Sequence, residues 1–419
     1  MEKILVFIIS LFLISCHRYK STIFEEFSSV NQDSVVNING RLDCKKGKLI
    51  YADAPIFDYT SGVHGMCDDV FDTIYTIQLE TLDSCIIGNI TQIEIVNDTI
   101  YIRDQYMTKN ICVFDKNGKF VRKIGTIGQG PFEFIEPSDM QVTDNAILIY
   151  DQWQHKLIKY KHDGTKIFEK ILPFMCSQVV ELKNGEFLFM GINADNFHLP
   201  QILNYKFWKT DTSFIINKIG LPCIHNKYPT DIGYKINNNS NSCYYYDFIS
   251  DTVFFFDDKG DMHPKYKINF QKSHSKEILC SKSMSKAINN GKYVMIRKIF
   301  PIVPNGLVYT MLTKHRMTNV FCNVKTGETK YFNINDVYKS NLTRLLSYFE
   351  PLNVYKDYIV FSAHTDDILK QYEFAIQQKS WWDNAPNWVQ TNDKKLIENI
   401  KLEDNPIIVF GRVKKEFYE

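Results

Sequence analysis

The stretch "NDTIYIRDQYMTKNICVFDKNGKFVRKI" (97–124) carries, in order, a turn, a β-branched run, a polar loop and a hairpin. Asn97-Asp98 are turn residues ahead of the strand-like "TIYI". "FDKNGKF" sets Asn117-Gly118 between two apolar runs, where a two-residue loop needs positive φ. Both halves recur. The first half returns as "DNAILIYD" (144–151), "NGEFLFMG" (184–191), "NSCYYYDF" (241–248), "NGLVYTML" (305–312) and "KDYIVFSA" (356–363). The second returns as "LIKYKHDGTKIFEKI" (157–171), "YKFWKTDTSFIINKI" (205–219), "VFFFDDKGDMHPKYKI" (253–268) and "VFCNVKTGETKYFNI" (320–334).

From Gly118 to Gly164 is 46 residues, and from Gly164 to Gly260 is 96, two periods of 48. Each period holds about four short strands, the mark of a propeller blade. The six turn-and-strand signals between 97 and 363 predict an all-β, six-bladed β-propeller of four-stranded blades. A seventh blade is open, because "KGKLIYAD" (46–53) is strand-like; without a following hairpin it is expected to be a leader or a ring-closing strand. "NPIIVFGRV" (405–413) is a further strand after an expected helix, "NDKKLIENI" (392–400). The stretches 273–292 and 335–349 have helical spacing and predict short insertions between blades.

Composition agrees with this class. The 419 residues are 44% hydrophobic and 14% aromatic, with 30 Phe and 24 Tyr, which favours sheet over helix bundle. Basic and acidic residues number 49 and 48. That near-balance supplies no field to recruit nucleic acid, so no nucleic-acid partner is expected.

The N-terminus indicates an address. Met1-Glu2-Lys3 is a short polar start, "ILVFIISLFLI" (4–14) an apolar run of eleven residues, and Ser15-Cys16 closes it. Eleven helical residues at ~1.5 Å each cannot cross a hydrocarbon core of ~30 Å, so residues 1–15 are expected to be a signal peptide. "LISC" (13–16) resembles a bacterial lipobox, which implies a diacylglyceryl group on Cys16 and anchorage in a membrane through it. Residues 16–40 are then a tether and 41–419 a single propeller domain. No Asp follows Cys16 and no acidic run follows it. By resemblance to other lipoproteins, that implies the outer membrane with the domain facing the periplasm. The nine remaining cysteines show no CxxC and no zinc-like spacing with histidine, and are expected to be buried free thiols.

"IQLETLDSCIIGNITQIEIVNDTIYIRD" (77–104) and "ICVFDKNGKFVRKIGTIGQGPFEF" (111–134), with the terminal "DNPIIVF", resemble the six-bladed β-propeller lipoproteins of Bacteroidetes, relatives of NHL-repeat propellers. The resemblance implies fold and address, but no reaction. Its pattern usually has glycine where this chain has Phe132.

"IGTIGQGPFEF" (124–134) looks like a phosphate cradle, yet a P-loop requires GxxxxGK[ST]. Here Gly130 is followed by Pro131, which has no N–H, so no nucleotide is expected. Gly125, Gly128, Gly130 and Pro131 are predicted to form a blade-linking turn, with Gly128 and Gly130 allowing a sharp bend. "SMSK" (283–286) matches S-x-x-K without the partner motifs of penicillin-recognising enzymes.

The loops after the second strands should share one axial face. They would gather Arg103, Asp104, Asp151, Trp153, His155, His315, Arg316, His364 and Asp366 around a funnel suited to a glycan, a peptide or an envelope-protein partner, with Trp153 as a stacking surface. The alternative for Asp104 and Asp151 is that they only cap turns. The expected role is non-catalytic binding, with no cofactor. The competing role is a metal-assisted lyase or hydrolase acting on carbohydrate or peptide, with His364 and Asp366 on the metal, as some NHL-like propellers use axial His and Asp.

Overall fold

A computed structural model describes residues 27–42, 49–53, 67–191, 196–222, 234–239, 242–246, 252–269, 295–313, 316–333, 341–345 and 350–419. Six sheets, each with four antiparallel strands, form the blades. The first blade is Gln92–Val96, Thr99–Asp104, Asn110–Phe114 and Phe120–Lys123, each strand paired to the next. Blades two to five repeat this meander over 139–171, 178–222, 234–269 and 295–333. The innermost strand of every blade touches that of the next, and the sixth returns to the first, so the ring is closed.

The sixth blade is assembled from both ends of the chain. Asn353–Tyr355 and Tyr358–Ala363 are its inner strands, Ile407–Val413 its third and Phe71–Ile77 its fourth. The ring-closing strand is therefore Phe71–Ile77. Ile50–Asp53, expected as leader or closure, instead adds a fifth strand to blade four, parallel to Met262–Asn269. Val36–Arg41 does the same on blade three beside Ile216–Pro222, so part of the stretch expected as tether is packed on the ring. Parallel addition at an outer edge covers backbone donors and acceptors that would otherwise invite a second chain.

The core is six apolar clusters, one at each blade–blade interface. Tyr101 and Val113 of blade one meet Met140 and Ile158 of blade two. Val360 and Phe410 of blade six meet Ile102 and Cys112 of blade one. At the second interface Trp208, fully buried, stands edge-on to Phe174 at 5.4 Å between ring centroids. Aromatic pairs in this geometry add to simple area burial. Polar side chains of the innermost strands link neighbouring blades: Gln92 donates to the Met140 carbonyl (2.6 Å), Gln141 binds both backbone groups of Glu181, and Asn353 donates to the Ile93 carbonyl (2.7 Å).

The hairpin glycines Gly118, Gly164, Gly260 and Gly327 all have positive φ, as the sequence predicts. The loops are longer than two residues, however. Gly118 N–H closes a turn on the Asp115 carbonyl, and Asp115 Oδ1 caps the N–H groups of Asn117 and Lys119. That is a type I turn followed by a left-handed glycine. The six described cysteines beyond residue 16 (Cys67, Cys85, Cys112, Cys176, Cys243 and Cys322) are free and buried, and burial pushes the Cys112 thiol up to about 12.

The helix expected at 392–400 is the C-terminal part of Asn387–Asn399, with Ile400 as its C-cap, in an insertion with Thr365–Gln377 and Lys379–Asp383 between the second and third strands of blade six. The helical stretch 273–292 lies outside the described residues, as does most of 335–349; within the latter, 341–345 is bends rather than helix.

Candidate functional site

Alternate connections of a meandering blade fall on opposite faces of the ring. One face carries the loops from second to third strands and the links between blades. The other carries the tight turns from first to second and from third to fourth strands.

On the first face, Arg103 is wholly buried. Its guanidinium donates to Gln92 Oε1, Gln105 Oε1 and the carbonyls of Pro137 (2.8 Å) and Ser138 (2.6 Å), joining blade one to the following linker. Burial pushes its pKa down, opposed by Asp139, Tyr106, Glu136 and Glu94. Asp104, also buried, accepts from the N–H groups of Gly88, Asn89, Met107 and Thr108 and from the Thr108 hydroxyl. Asp151 accepts from the N–H groups of Ile135 (2.6 Å) and Trp153 (2.9 Å) and from Gln154. Both carboxylates thus cap their own loops and tie them to the blade link that precedes the blade. Trp153 is half exposed. His155 is buried at φ +50°, its ring 4.9 Å from that of Phe27. His364 precedes helix Thr365–Gln377 at the N-cap position, and Asp366 pairs with Lys370 at 2.8 Å on the same helix. Arg316 begins the third strand of blade five, opposite Thr313. Cys16, His315 and the "SMSK" serine lie outside the described residues.

The glycine-rich stretch is the link from blade one to blade two. Thr126–Ile127 and Glu133–Phe134 pair in parallel across it. Gly125 has φ +71°, and a Cβ there would stand 2.5 Å from the Phe134 ring. Gly128 and Gly130 are not in the left-handed region; a Cβ on Gly128 would stand 2.0 Å from the Glu133 carboxylate, which also takes the Gly130 N–H. The left-handed residue of the bend is Phe132, φ +58°. Lys156 Nζ donates to the carbonyls of Gly130 (3.0 Å) and Glu133 (3.1 Å). The loop therefore offers carbonyls inward and spends its Gly130 N–H on a carboxylate, the reverse of an anion cradle.

The second face holds the larger of two described cavities, about 530 Å³. It opens where the first-to-second-strand turns converge on the axis. Its wall is built by Glu94, Asn97 and Asp98 of blade one, Asp144 of blade two, Tyr244 of blade four, Pro301 and Val303 of blade five, and Asn353, Tyr355 and Lys356 of blade six. Tyr355 donates its hydroxyl to Asp98 Oδ1 at 2.8 Å, and Lys356 Nζ stands 4.7 Å over the Tyr355 ring. Asn353 donates to Glu94 Oε2 at 3.1 Å. Asn97, Asp98 and Lys356 all have positive φ, the conformation of the primed turns that join hairpin strands. A second cavity of about 310 Å³ shares Asp144 and is lined by Lys159, Glu181, Lys183 and Asp258. Among the described residues, no three His, Cys, Asp or Glu side chains converge as a metal site.

The cavity residues were present in the repeats as punctuation. Asn97-Asp98, Asp144 and Lys356 open "NDTIYIRD", "DNAILIYD" and "KDYIVFSA". The recurrence of charged and amide residues at that register was the available signal.

A family model described as a domain of unknown function, DUF4934, matches residues 65–412. The chain belongs to the DUF4934 family. The span of this DUF4934 match takes in all six blades, including the closing strand. The fold is similar to the crystal structure of a Bacteroides fragilis protein described as exported, with a TM-score of 0.69 and 21% identity over 88% of this chain and all of that one. A DUF4221 family member from Bacteroides vulgatus is more distant, at TM-score 0.46 and 13% identity over 82% of this chain and 97% of that one. No curated protein matches the sequence. The expected resemblance to Bacteroidetes six-bladed propellers thus holds for the fold of this DUF4934 chain.

Proposed function

We propose that this DUF4934 protein is an envelope lipoprotein, acylated on Cys16 and held at the outer membrane facing the periplasm. Its propeller binds a polar ligand, a glycan or short peptide, without transforming it. The observation that carries the binding role is the axial cavity, lined from five of the six blades. Its volume lies in the range of small-ligand sites. Carboxylates, two amides and a lysine around Tyr244 and Tyr355 suit hydroxyl and amide groups, with ring faces for stacking. The exported B. fragilis relative supports an envelope address.

The test is binding of glycan and peptide libraries to the purified chain, followed by Asp98→Asn and Asp144→Asn. Both residues are exposed on turns. Each substitution is expected to weaken binding about tenfold, equivalent to about 1.4 kcal/mol. Turnover of a bound glycan or peptide, lost in the same variants, would replace binding by catalysis.

A further inference from the structure

We propose that the face formed by the second-to-third-strand loops and the blade links lies against the phospholipid surface that anchors the chain, leaving the axial cavity open to the aqueous side. This rests on the acylation of Cys16 proposed above.

Two independent observations carry it. The first is where the tether leaves the ring. Phe27, the first described residue, is buried with its ring stacked on His198 (4.4 Å between centroids) and tilted against His155 (4.9 Å). His155 and His198 belong to the second-to-third-strand connections of blades two and three. His198 is itself fixed on this face by a 2.7 Å hydrogen bond to the Pro173 carbonyl in the next blade link. From Cys16 to Phe27 there are eleven residue steps, which reach ~40 Å at most when fully extended. To turn the cavity face toward the bilayer, that length must round a blade, whose strands alone span ~15–25 Å. The direct path holds the loop face downward.

The second observation is an asymmetry of exposed apolar side chains. Among the described residues, most of the large ones that face solvent sit on the loop face. They include Tyr106, Met107, Ile127, Trp153, Phe197 and Trp388, each at least half exposed. Among the described residues at least half exposed, the turns of the cavity face present Val303 alone; Tyr51 and Ile171 lie on outer strands, and Ile376 and Leu402 on the blade-six insertion. Apolar side chains dispersed at random would show no such preference for one face. Trp and Tyr favour the headgroup zone, where a ring is half apolar and half wet. A surface of this kind adds a second attachment to the acyl anchor.

The experiment uses the full acylated chain in vesicles of phosphatidylethanolamine and phosphatidylglycerol. An environment-sensitive fluorophore is placed by Met107→Cys, Trp153→Cys or Val303→Cys and compared with the labelled parent chain. Brominated phospholipid is expected to quench the 107 and 153 labels at least twofold and to leave 303 unchanged. Quenching at 303 instead, or at none of the three while mass spectrometry finds the acyl groups, overturns the orientation and leaves the anchor standing. A mature chain without acyl mass overturns both. Shielding of 107 and 153 that appears only on adding envelope proteins assigns the face to a protein partner and overturns the lipid contact.

Discussion

Phe132 occupies a left-handed conformation that a residue with a Cβ adopts at a cost of about 1–2 kcal/mol. Its surroundings offset that cost. The Phe132 N–H donates to Glu169, its carbonyl accepts from the Tyr160 hydroxyl, and Lys166 Nζ stands 5.0 Å over its ring. Backbone and ring contributions separate in a pair of variants. Phe132→Ala loses the ring contacts and keeps the backbone cost, whereas Phe132→Gly loses the same contacts and relieves it. The Gly variant is therefore expected to be more stable than the Ala variant by about 1 kcal/mol in denaturant unfolding. Equal midpoints would show that the turn shifts to accommodate either residue. The family pattern marked this position as a glycine site, and the φ angle agrees. Which of the other glycines bend and which merely allow close approach was not legible, because Glu133 folds back on Gly128 and Gly130 through contacts that no spacing rule encodes.

Within the elements, the blade-six insertion was the least legible part. "AHTDDI" occupies a loop position in the repeat, yet a helix starts at Thr365 with Asp366 and Asp367 in its first turn. Acidic residues there favour a helix N-terminus through the backbone dipole, so a local signal existed. Strand periodicity on both sides outweighed it. The insertion docks on 341–345 through Asp393, which accepts from the Thr343 hydroxyl (3.1 Å) and the Arg344 N–H (2.9 Å). Burial raises its carboxyl to about 6, opposed by those hydrogen bonds and by the Arg344 charge. A carboxyl raised in the folded state binds its proton more tightly there than in the unfolded chain. Its contribution is thus fullest below about pH 4 and is lost as pH rises through about 6, a change of about 2 kcal/mol. Asp393→Asn is expected to remove that component. The difference in unfolding free energy between parent and variant should shift by this amount between pH 4 and 7, in favour of the variant at the higher pH. A pH-independent difference would mean that Asp393 stays charged in the folded state.

At the scale of the whole ring, the repeat period and the count of turn-and-strand signals were enough for six blades. The closure was not legible, because Phe71–Ile77 lacks the hairpin that leads into every other fourth strand and the turn glycine that marks four of them. Its partner, Ile407–Val413, is separated from the rest of blade six by the helical insertion. Closure nevertheless has identifiable determinants. Tyr75 stacks on Phe410 at 4.7 Å with parallel rings, and Arg412 pairs with Asp72 at 2.6 Å. Phe71 stands edge-on to Phe321 at 5.4 Å and to Phe361 at 6.0 Å, tying the closing strand to blades five and six. Two truncations separate this strand from the two parallel strands that precede it. A chain beginning at residue 65 lacks Val36–Arg41 and Ile50–Asp53 but keeps the closing strand. It is expected to remain a folded monomer with a modestly lower melting temperature, since blades three and four retain four strands each. A chain beginning at residue 79 leaves Ile407–Val413 as an unpaired, almost wholly buried-type apolar edge. Such an edge pairs with other chains, and the loss of Phe71 opens a cavity at the fifth interface. That chain is expected to melt on the order of 10 °C below the longer one and to oligomerise on sizing columns. Equal melting temperatures with both chains monomeric would mean that the five complete blades hold the ring without the strand, and that closure serves some purpose other than stability.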